Sequence, residues 1–259
     1  MRSTKLPAPG SPAYTRLRED VLSYLWRRYP QHCVVLTDPR SRRAIDVGIA
    51  RAARHGFRDA VDIRPFVGLM VFLGSHFDED PQLPWAGEHL RQSARASRAD
   101  AMTGLLGETA RRMEPIVGRS GEYYRRALAW SDARGFEEIA AAHDDSDDGL
   151  RGFLRQLYRR KYDALGDDSV ERLIQGARSA ARQHGLTAGP AVIVYLGLMF
   201  LLGSAFDRDP FHPWASEALA TAAASGPAPR GCELHERAIE TLRRYTRLDR
   251  LMQTRTSGG

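Results

Sequence analysis

The chain has 259 residues, of which 42% are hydrophobic, so it is long enough to bury two cores of ordinary domain size without disulfide bonds. Its formal charge of +6 comes from thirty-six arginines and two lysines, but acidic residues are interspersed along most of the chain. That pattern is typical of solvated helix faces and argues against a dedicated nucleic-acid surface. Two cysteines and an N-terminus without an apolar core argue against a disulfide framework and a signal peptide, so we expect a cytoplasmic protein.

Helical periodicity, without alternating strand patterns of useful length, predicts an all-α fold of two tandem pseudo-repeats. Stretches rich in proline, serine and glycine mark predicted flexible ends, and the acidic run DDSDDG marks a solvated linker. The predicted organisation is a flexible lead at 1–13, a first helical repeat at 14–116, a helical connector and acidic linker at 117–149, a second helical repeat at 150–252 and a flexible tail at 253–259.

The first helix of each repeat is predicted to be amphipathic. In the first repeat, Leu17, Val21 and Leu25 recur every four residues and the pattern ends at Pro30. The corresponding helix of the second repeat covers 150–162, where the segment LWRR returns as LYRR. One apolar face of each helix is therefore expected to pack against a core.

The second helix of each repeat is predicted to end in the dipeptide His-Gly, at His55-Gly56 and at His184-Gly185. Glycine at the C′ position adopts the left-handed conformation without strain, and an imidazole in the last turn faces the negative end of the helix dipole. We therefore interpret these residues as helix caps rather than as a chemical site.

The third helix of each repeat is apolar on nearly every side, which predicts a central helix surrounded by other helices. In the second repeat the uncharged run from Thr187 to Phe206 is as long as a membrane span, but the matching run of the first repeat contains charges. Because equivalent helices should have equivalent surroundings, we predict burial in protein and no contact with a membrane. Close approaches between helices are predicted at paired glycines, namely Gly68, Gly197, Gly74 and Gly203.

A long motif occurs twice in the chain. The segment VGLMVFLGSHFDEDPQLPWAGEHL at 67–90 returns as LGLMFLLGSAFDRDPFHPWASEAL at 196–219. Fifteen of the 24 positions are identical at a constant offset of 129 residues, which indicates a tandem duplication. Any function must therefore be compatible with two copies of one architecture.

The shared core of the motif, FDxDPxxPW, predicts a turn followed by a new helix. The second aspartate precedes a proline and suits a helix N-cap with proline at the N1 position. The aromatic residues are predicted to hold the turn against the core, and the first aspartate to accept hydrogen bonds from nearby backbone amides. The candidate interaction and structural residues are Phe77, Asp78, Asp80, Pro81, Pro84, Trp85, Phe206, Asp207, Asp209, Pro210, Pro213 and Trp214.

A metal site is the chemical alternative for this motif. Carboxylates two residues apart, with His76 and His89 nearby, supply the oxygen and imidazole ligands that metal ions prefer. The second copy has Ala205 and Ala218 at the histidine positions, so we expect no metal ion and no cofactor. The sequence also contains no phosphate-binding loop, no Cys/His metal spacing and no nucleophile elbow, so no catalytic residue is assigned.

The His-Gly helix end, the segment GLMVFLGS and the segment FDEDPQLPWA together resemble the helical segment of bacterial type VI secretion effector adaptors and chaperones. The same segment occurs in small proteins encoded near such effectors. The resemblance covers 17–90 and 150–219, and it implies a helical fold that binds an effector protein. Adaptors of this kind usually carry a separate effector-binding lobe before the helical segment, whereas this chain has a second helical repeat.

We therefore expect a non-enzymatic protein-binding module that acts as a chaperone or adaptor for an effector. The expected contact surface is the grooves between the repeats or the exposed parts of the FDxDPxxPW turns. An immunity protein that neutralises a cognate toxin is an alternative role within the same class. An arginine-rich nucleic-acid-binding protein is the alternative from another class, and it predicts steeply salt-dependent retention of DNA or RNA.

Overall fold

The computed structural model describes residues 5–93, 97–187, 189–221 and 227–256, and the regular structure within these ranges is entirely helical. This confirms the all-α class. The α-helices of the described residues, in chain order, are α1 (Pro12–Arg28), α2 (Pro30–Leu36), α3 (Asp38–Arg54), α4 (Ala60–Leu73), α5 (Pro84–Gln92), α6 (Arg98–Val117), α7 (Glu122–Asp132), α8 (Phe136–Ala142), α9 (Asp147–Leu157), α10 (Arg159–Leu165), α11 (Asp167–Gln183), α12 (Gly189–Leu202), α13 (Pro213–Thr221) and α14 (Pro227–Thr256). Because α1 begins at Pro12 and α14 continues to Thr256, both predicted flexible ends are partly helical.

The chain divides into two compact units. Unit 1 comprises Met1–Glu79, Leu83–Thr109 and Asp209–Phe211, and unit 2 comprises Asp80–Gln82, Ala110–Arg208 and His212–Gly259. Asp80–Gln82 lies in the first copy of the motif but belongs to unit 2. Asp209–Phe211 lies in the second copy but belongs to unit 1.

Helix α1 forms where the amphipathic pattern predicts it. The Ser11 hydroxyl accepts a hydrogen bond from the Tyr14 amide at 3.2 Å, and Pro12 occupies the N1 position. The predicted apolar stripe is buried, and α1 packs against α3 and α4. The helix ends at Arg28, two residues before Pro30.

The central helices of the two units differ in how completely they are covered. Helix α12 packs against α8, α9, α11 and α14, and every residue from Ala191 to Leu202 is buried. Helix α4 packs against α1 and α3, but Val61 and Phe72 remain exposed on it. The prediction of a surrounded helix is therefore correct for α12 and wrong for one stripe of α4. Within the described ranges, no helix is both long enough and apolar enough to cross a membrane.

The His-Gly dipeptides end α3 and α11 as predicted. Gly56 and Gly185 have φ angles of 82° and 70°, the left-handed conformation that glycine adopts without strain. After α3, the amides of Phe57 and Gly56 donate to the carbonyls of Ala52 and Ala53 at 3.1 and 3.0 Å. These bonds satisfy carbonyl groups that the end of a helix otherwise leaves unpaired.

Two different physical constraints explain why glycine occupies the paired positions of the motif. A Cβ atom at Gly68 would lie 2.9 Å from a tyrosine hydroxyl of α1, and one at Gly197 would lie 3.0 Å from a phenylalanine ring of α9. Both positions are therefore close approaches, as predicted. Gly74 and Gly203 have φ angles of 99° and 105° at the ends of α4 and α12, so their backbone conformation itself requires glycine.

The predicted connector contributes to the core of unit 2. It contains α7 and α8, and Phe136 and Ile139 of α8 are buried. The acidic run after α8 is also partly helical, because the Ser146 hydroxyl accepts a hydrogen bond from the Gly149 amide at 3.1 Å and α9 begins at Asp147. The aspartates of this run are exposed, as predicted, but its second half belongs to α9 and not to a linker.

Gly87 on α5 provides a test of the packing in unit 1. A Cβ atom there would lie 2.5 Å from the carbonyl oxygen of Asp78, a backbone atom that cannot rotate away. We expect Gly87→Ala to lower the free energy of unfolding by about 1–3 kcal/mol, the usual cost of overpacking. In the control, Gly176→Ala on α11, the added Cβ meets no atom within 4 Å and should stabilise the chain by about 0.5–1 kcal/mol. Urea unfolding measures both changes, and an unchanged midpoint for Gly87→Ala would contradict the observed packing.

Candidate functional site

Both copies of the FDxDPxxPW motif run through turns into a helix that begins at the second proline. Helix α5 starts at Pro84 and helix α13 starts at Pro213. The N-cap residue of α5 is Leu83, whose side chain makes no capping bond. The predicted N-cap role of Asp80 and Asp209 is therefore wrong, because three residues separate each aspartate from the helix.

Asp80 uses both carboxylate oxygens within unit 2. One oxygen accepts hydrogen bonds from the Gln82 amide at 2.8 Å and from the Ser204 hydroxyl at 2.6 Å. The other oxygen accepts from the Ser204 amide at 2.8 Å. The Gln82 side chain donates to the Met199 carbonyl at 2.9 Å, which is one of the last carbonyls of α12. The segment Asp80–Gln82 thus satisfies backbone groups where α12 ends.

Asp209 makes a similar set of bonds within unit 1. Its Oδ1 accepts from the Phe211 amide at 2.8 Å, and its Oδ2 accepts from the Ser75 amide at 2.8 Å. Ser75 follows the end of α4 and is buried. The second aspartate of each copy therefore accepts one hydrogen bond within its own turn and another from the serine amide that follows a central helix. These bonds span 124 and 134 residues, so no local sequence pattern indicates them.

Asp78, the first aspartate of the first copy, contacts two side chains from the end of α3. The Arg51 guanidinium donates to one carboxylate oxygen, and His55 Nε2 lies 2.6 Å from the other. Only 2% of the Asp78 side chain and 6% of the Arg51 side chain are exposed. The carboxylate of Glu79, which is exposed, lies 3.2 Å from the same guanidinium. The predicted backbone-amide partners of Asp78 are therefore wrong, because α3 places cationic and imidazole groups opposite the turn.

The pKa of Asp78 results from opposing effects. Burial alone would raise it, but hydrogen bonds from His55 and Arg51 and the charge of Arg51 outweigh burial and lower the pKa below its ordinary value. A general acid or base works best when its pKa lies near the working pH. Asp78 is therefore ionised at neutral pH and neutralises the buried guanidinium of Arg51.

The second copy of the motif has a related cluster without the arginine. Asp207 Oδ2 lies 2.9 Å from His184 Nε2 and accepts a hydrogen bond from the Tyr195 hydroxyl at 3.0 Å. Burial and then the charge of Asp207 raise the pKa of Tyr195, so its hydroxyl remains a donor. Ala180 stands where an offset of 129 residues would place the counterpart of Arg51. A buried cation therefore distinguishes the cluster in unit 1 from the cluster in unit 2.

Two further arginines bind the ends of the His-Gly helices. Arg98 Nη1 donates to the His55 carbonyl at 2.9 Å, and Arg230 Nη1 donates to the His184 carbonyl at 3.0 Å. A cation at a helix C-terminus is favoured by the helix dipole. Sequence reasoning missed both arginines, because they lie 43 and 46 residues beyond the histidines that they contact.

The aromatic residues of the motif lie at different depths. Phe77 and Phe206 are completely buried, with ring centroids 5.1 Å from Phe66 and 4.9 Å from Tyr195. These contacts place both phenylalanines between the turn and the core of a unit. Of the other candidate residues, Pro81 and Pro84 are exposed, and Trp85, Pro210, Pro213 and Trp214 are half-buried.

His76 and His89, the histidines of the possible metal site, contact different groups of the protein. His76 Nδ1 lies 2.9 Å from Ser75 Oγ, and His89 Nε2 lies 3.0 Å from the Ala101 carbonyl oxygen. In the described part of the chain, no group of three or more His, Cys, Asp or Glu side chains is arranged to hold a metal ion. The geometry of the motif is therefore that of a hydrogen-bonded structural element.

Unit 2 also contains an open groove of about 850 Å³, lined by residues of α14 and of the α7–α8 segment. Acidic and basic side chains are mixed along it, and Arg243 forms an ion pair with Asp132 at 2.5 Å. His235 lines the groove, and burial lowers its pKa. Because charges of both signs line this groove, it does not favour an ion of one sign.

The lowered pKa of Asp78 predicts a specific sensitivity to acid. A carboxylate with a folded-state pKa below its unfolded value of about 3.9 stabilises the fold above that pH, and the contribution is lost as the pH falls through the folded pKa. We expect wild type and Asp78→Asn to differ by about 2–4 kcal/mol in free energy of unfolding at about pH 5 to 7, and by progressively less below about pH 4. Urea titrations at constant ionic strength measure this difference. Asp163→Asn, at an exposed residue, is the control, and an equal pH dependence in both variants would contradict the prediction.

No protein-family model, curated protein or solved structure matches the chain. The described part of the chain is helical, and the second aspartate of each motif copy accepts hydrogen bonds from backbone amides. Most of the polar side chains of this motif are occupied by contacts within the protein.

Proposed function

We propose that the chain is a non-enzymatic protein-binding module made of two pseudo-equivalent helical repeats, each with a central helix followed by an FDxDPxxPW turn. The proposed biological role is that of a chaperone or adaptor for an effector of a bacterial secretion system, as the resemblance of the motif to such proteins implies. In this proposal the motif stabilises the module, and a different surface binds the partner.

Equivalent hydrogen bonds support the pseudo-repeat. His55 pairs with Asp78 and His184 pairs with Asp207, and both members of the second pair lie 129 residues beyond those of the first. In each unit, an aspartate from a motif turn also binds the amide of the serine that follows the central helix. Two copies of one ancestral arrangement account for this correspondence.

The distribution of exposed apolar side chains carries the proposal of protein binding. The described residues include five large hydrophobic side chains that are exposed, and all five belong to unit 1. They are Trp26, Val34, Val61, Phe72 and Leu106. A unit that exposes large apolar side chains offers surface for a partner, and tryptophan is enriched among the residues that dominate binding energy.

The charged residues support this class over the alternatives. Asp78 is ionised and paired, and Asp80 and Asp209 accept hydrogen bonds from backbone amides, so the motif offers no free acid, base or nucleophile. Many arginines are engaged in ion pairs, for example Arg42 with Asp38 and Arg178 with Asp147. Such pairing reduces the positive charge available to the phosphates of a nucleic acid.

Affinity purification of the tagged chain from its native host, followed by mass spectrometry, tests the proposal. We expect one protein partner at a near-stoichiometric amount. Improved solubility or export of that partner identifies a chaperone, whereas protection of cells that express it identifies an immunity protein. Purification without any stoichiometric protein, or retention of DNA or RNA that falls steeply with salt, would overturn the proposal.

A further inference from the structure

Helix α14 of unit 2 carries four charged residues in one stripe along its exposed side. They are Glu236, Glu240, Arg243 and Arg247, and we call them the α14 stripe. Their spacings of four, three and four residues place them on one face of the helix. All four are exposed, and all four line the groove of unit 2. The stripe is therefore accessible along about 16 Å of the helix, at a rise of about 1.5 Å per residue.

The charges of the α14 stripe are separated by sign. Its first half carries two acids, Glu236 and Glu240, which are four residues apart, and its second half carries Arg243 and Arg247, which are also four residues apart. Like charges at this spacing repel each other on the surface of a helix. A partner surface that places the opposite charge over each half would relieve both repulsions.

The groove beside the stripe also has apolar walls. Phe136, His235 and Ile239 line it and are each less than one-tenth exposed, and the rings of Phe136 and His235 lie 6.4 Å apart. Arg243 donates a hydrogen bond to Asp132, but 60% of the Arg243 side chain is exposed. Because a guanidinium has five N–H donors, Arg243 can bind a second carboxylate. Buried apolar groups beside exposed charges are typical of a protein interface.

The α14 stripe is complementary to itself when two copies of it run antiparallel. A two-fold axis midway between Glu240 and Arg243 places Glu240 of one copy opposite Arg243 of the other. The same axis places Glu236 opposite Arg247. Because a two-fold axis repeats every contact, each of these pairs forms twice and no like charges face each other. A parallel arrangement would instead place acid against acid and arginine against arginine.

We propose that the α14 stripe binds the same stripe of a second copy of this chain, in an antiparallel arrangement. The product is a symmetric homodimer that is held by ion pairs between the two copies of α14. Because exposed ion pairs contribute little and are screened by salt, the association is weak and becomes weaker as the salt concentration rises. The proposed function concerns a different protein bound through unit 1, so this inference goes beyond it.

Sedimentation velocity of the full-length chain over a concentration series measures the association. We expect an equilibrium between monomer and dimer whose dissociation constant rises with salt. Glu236→Arg with Glu240→Arg makes the stripe entirely basic, and Arg243→Glu with Arg247→Glu makes it entirely acidic. Each double variant should associate with itself at least about tenfold more weakly than wild type, because like charges then face each other.

An equimolar mixture of the two double variants should form a heterodimer, because an entirely basic stripe then faces an entirely acidic one. A fluorophore on one variant makes the heterodimer visible in the same experiment. The matched control is Arg172→Glu with Arg182→Glu, at two exposed residues of α11. It changes the net charge as much as Arg243→Glu with Arg247→Glu does, and it should keep the association of wild type.

Circular dichroism shows whether each variant is folded. Glu236→Gln with Glu240→Gln is the milder substitution if the charge reversal does not fold, and it should also weaken the association. The inference is overturned if wild type stays monomeric at low salt up to about 0.1 mM. A dimer that both reversals leave intact, or a mixture of the two variants that stays monomeric, would overturn it as well. If a different protein still co-purifies with a monomeric chain, this inference fails and the proposed function stands.

Discussion

Replacing Asp78 with alanine should lower the free energy of unfolding by about 3–5 kcal/mol, the range seen when one partner of a buried ion pair is removed. The Asp78 side chain is 2% exposed, and it neutralises an Arg51 guanidinium that is 6% exposed. Without Asp78, the remaining carboxylate near Arg51 is that of Glu79, which solvent screens because its side chain is 59% exposed. The buried arginine would then lack an effective counter-charge.

The matching variant in unit 2 is Asp207→Ala, and we expect it to cost about 1–2 kcal/mol. Asp207 contacts His184 and Tyr195 rather than a buried arginine, and its side chain is 15% exposed. Urea unfolding followed by circular dichroism measures both variants at neutral pH. An equal cost for the two substitutions would show that the ion pair with Arg51 does not determine the importance of Asp78.

Replacing Asp80 or Asp209 with alanine is expected to cost about 2–4 kcal/mol each, because each substitution leaves two backbone amides without their acceptor. For Asp80 these are the amides of Gln82 and Ser204, and for Asp209 those of Phe211 and Ser75. An unsatisfied buried amide costs more than the net value of the hydrogen bond itself.

Ser204→Ala is the matched control for Asp80→Ala. It removes the hydroxyl bond to Asp80 but keeps the amide bond, so we expect a loss of about 0.5–1.5 kcal/mol. Thermal and urea unfolding compare the two variants. A cost for Asp80→Ala no larger than that of Ser204→Ala would show that the backbone amide finds another acceptor, such as water.

Features set by local periodicity could be predicted from the sequence. The apolar spacing in α1 and the His-Gly ends of α3 and α11 correspond to structure because a helix and its C-cap depend on residues a few positions apart. The conformation of the turn after each central helix was harder to predict from the sequence, because an aspartate followed by a proline suits both a helix N-cap and a tight turn. The structure shows the tight turn, with Asp80 bound to the amide two residues later.

The partners of the motif aspartates could not be predicted, because they depend on tertiary structure. The pairing of Asp78 with Arg51 spans 27 residues and that of Asp80 with Ser204 spans 124. The exposure of Trp26 and Phe72 could not be predicted either, because it depends on which helices cover α1 and α4.

Photo-crosslinking from Trp26, an exposed tryptophan of α1 in unit 1, tests the proposed function most directly in the native host. The photoreactive amino acid benzoylphenylalanine replaces Trp26 in one strain and Arg182, an exposed residue of α11, in a control strain. We predict one crosslinked product with a single non-self protein from position 26 and none of that product from position 182. No crosslink to another protein from position 26, or the same products from both positions, would contradict the proposal that this chain binds a protein through unit 1.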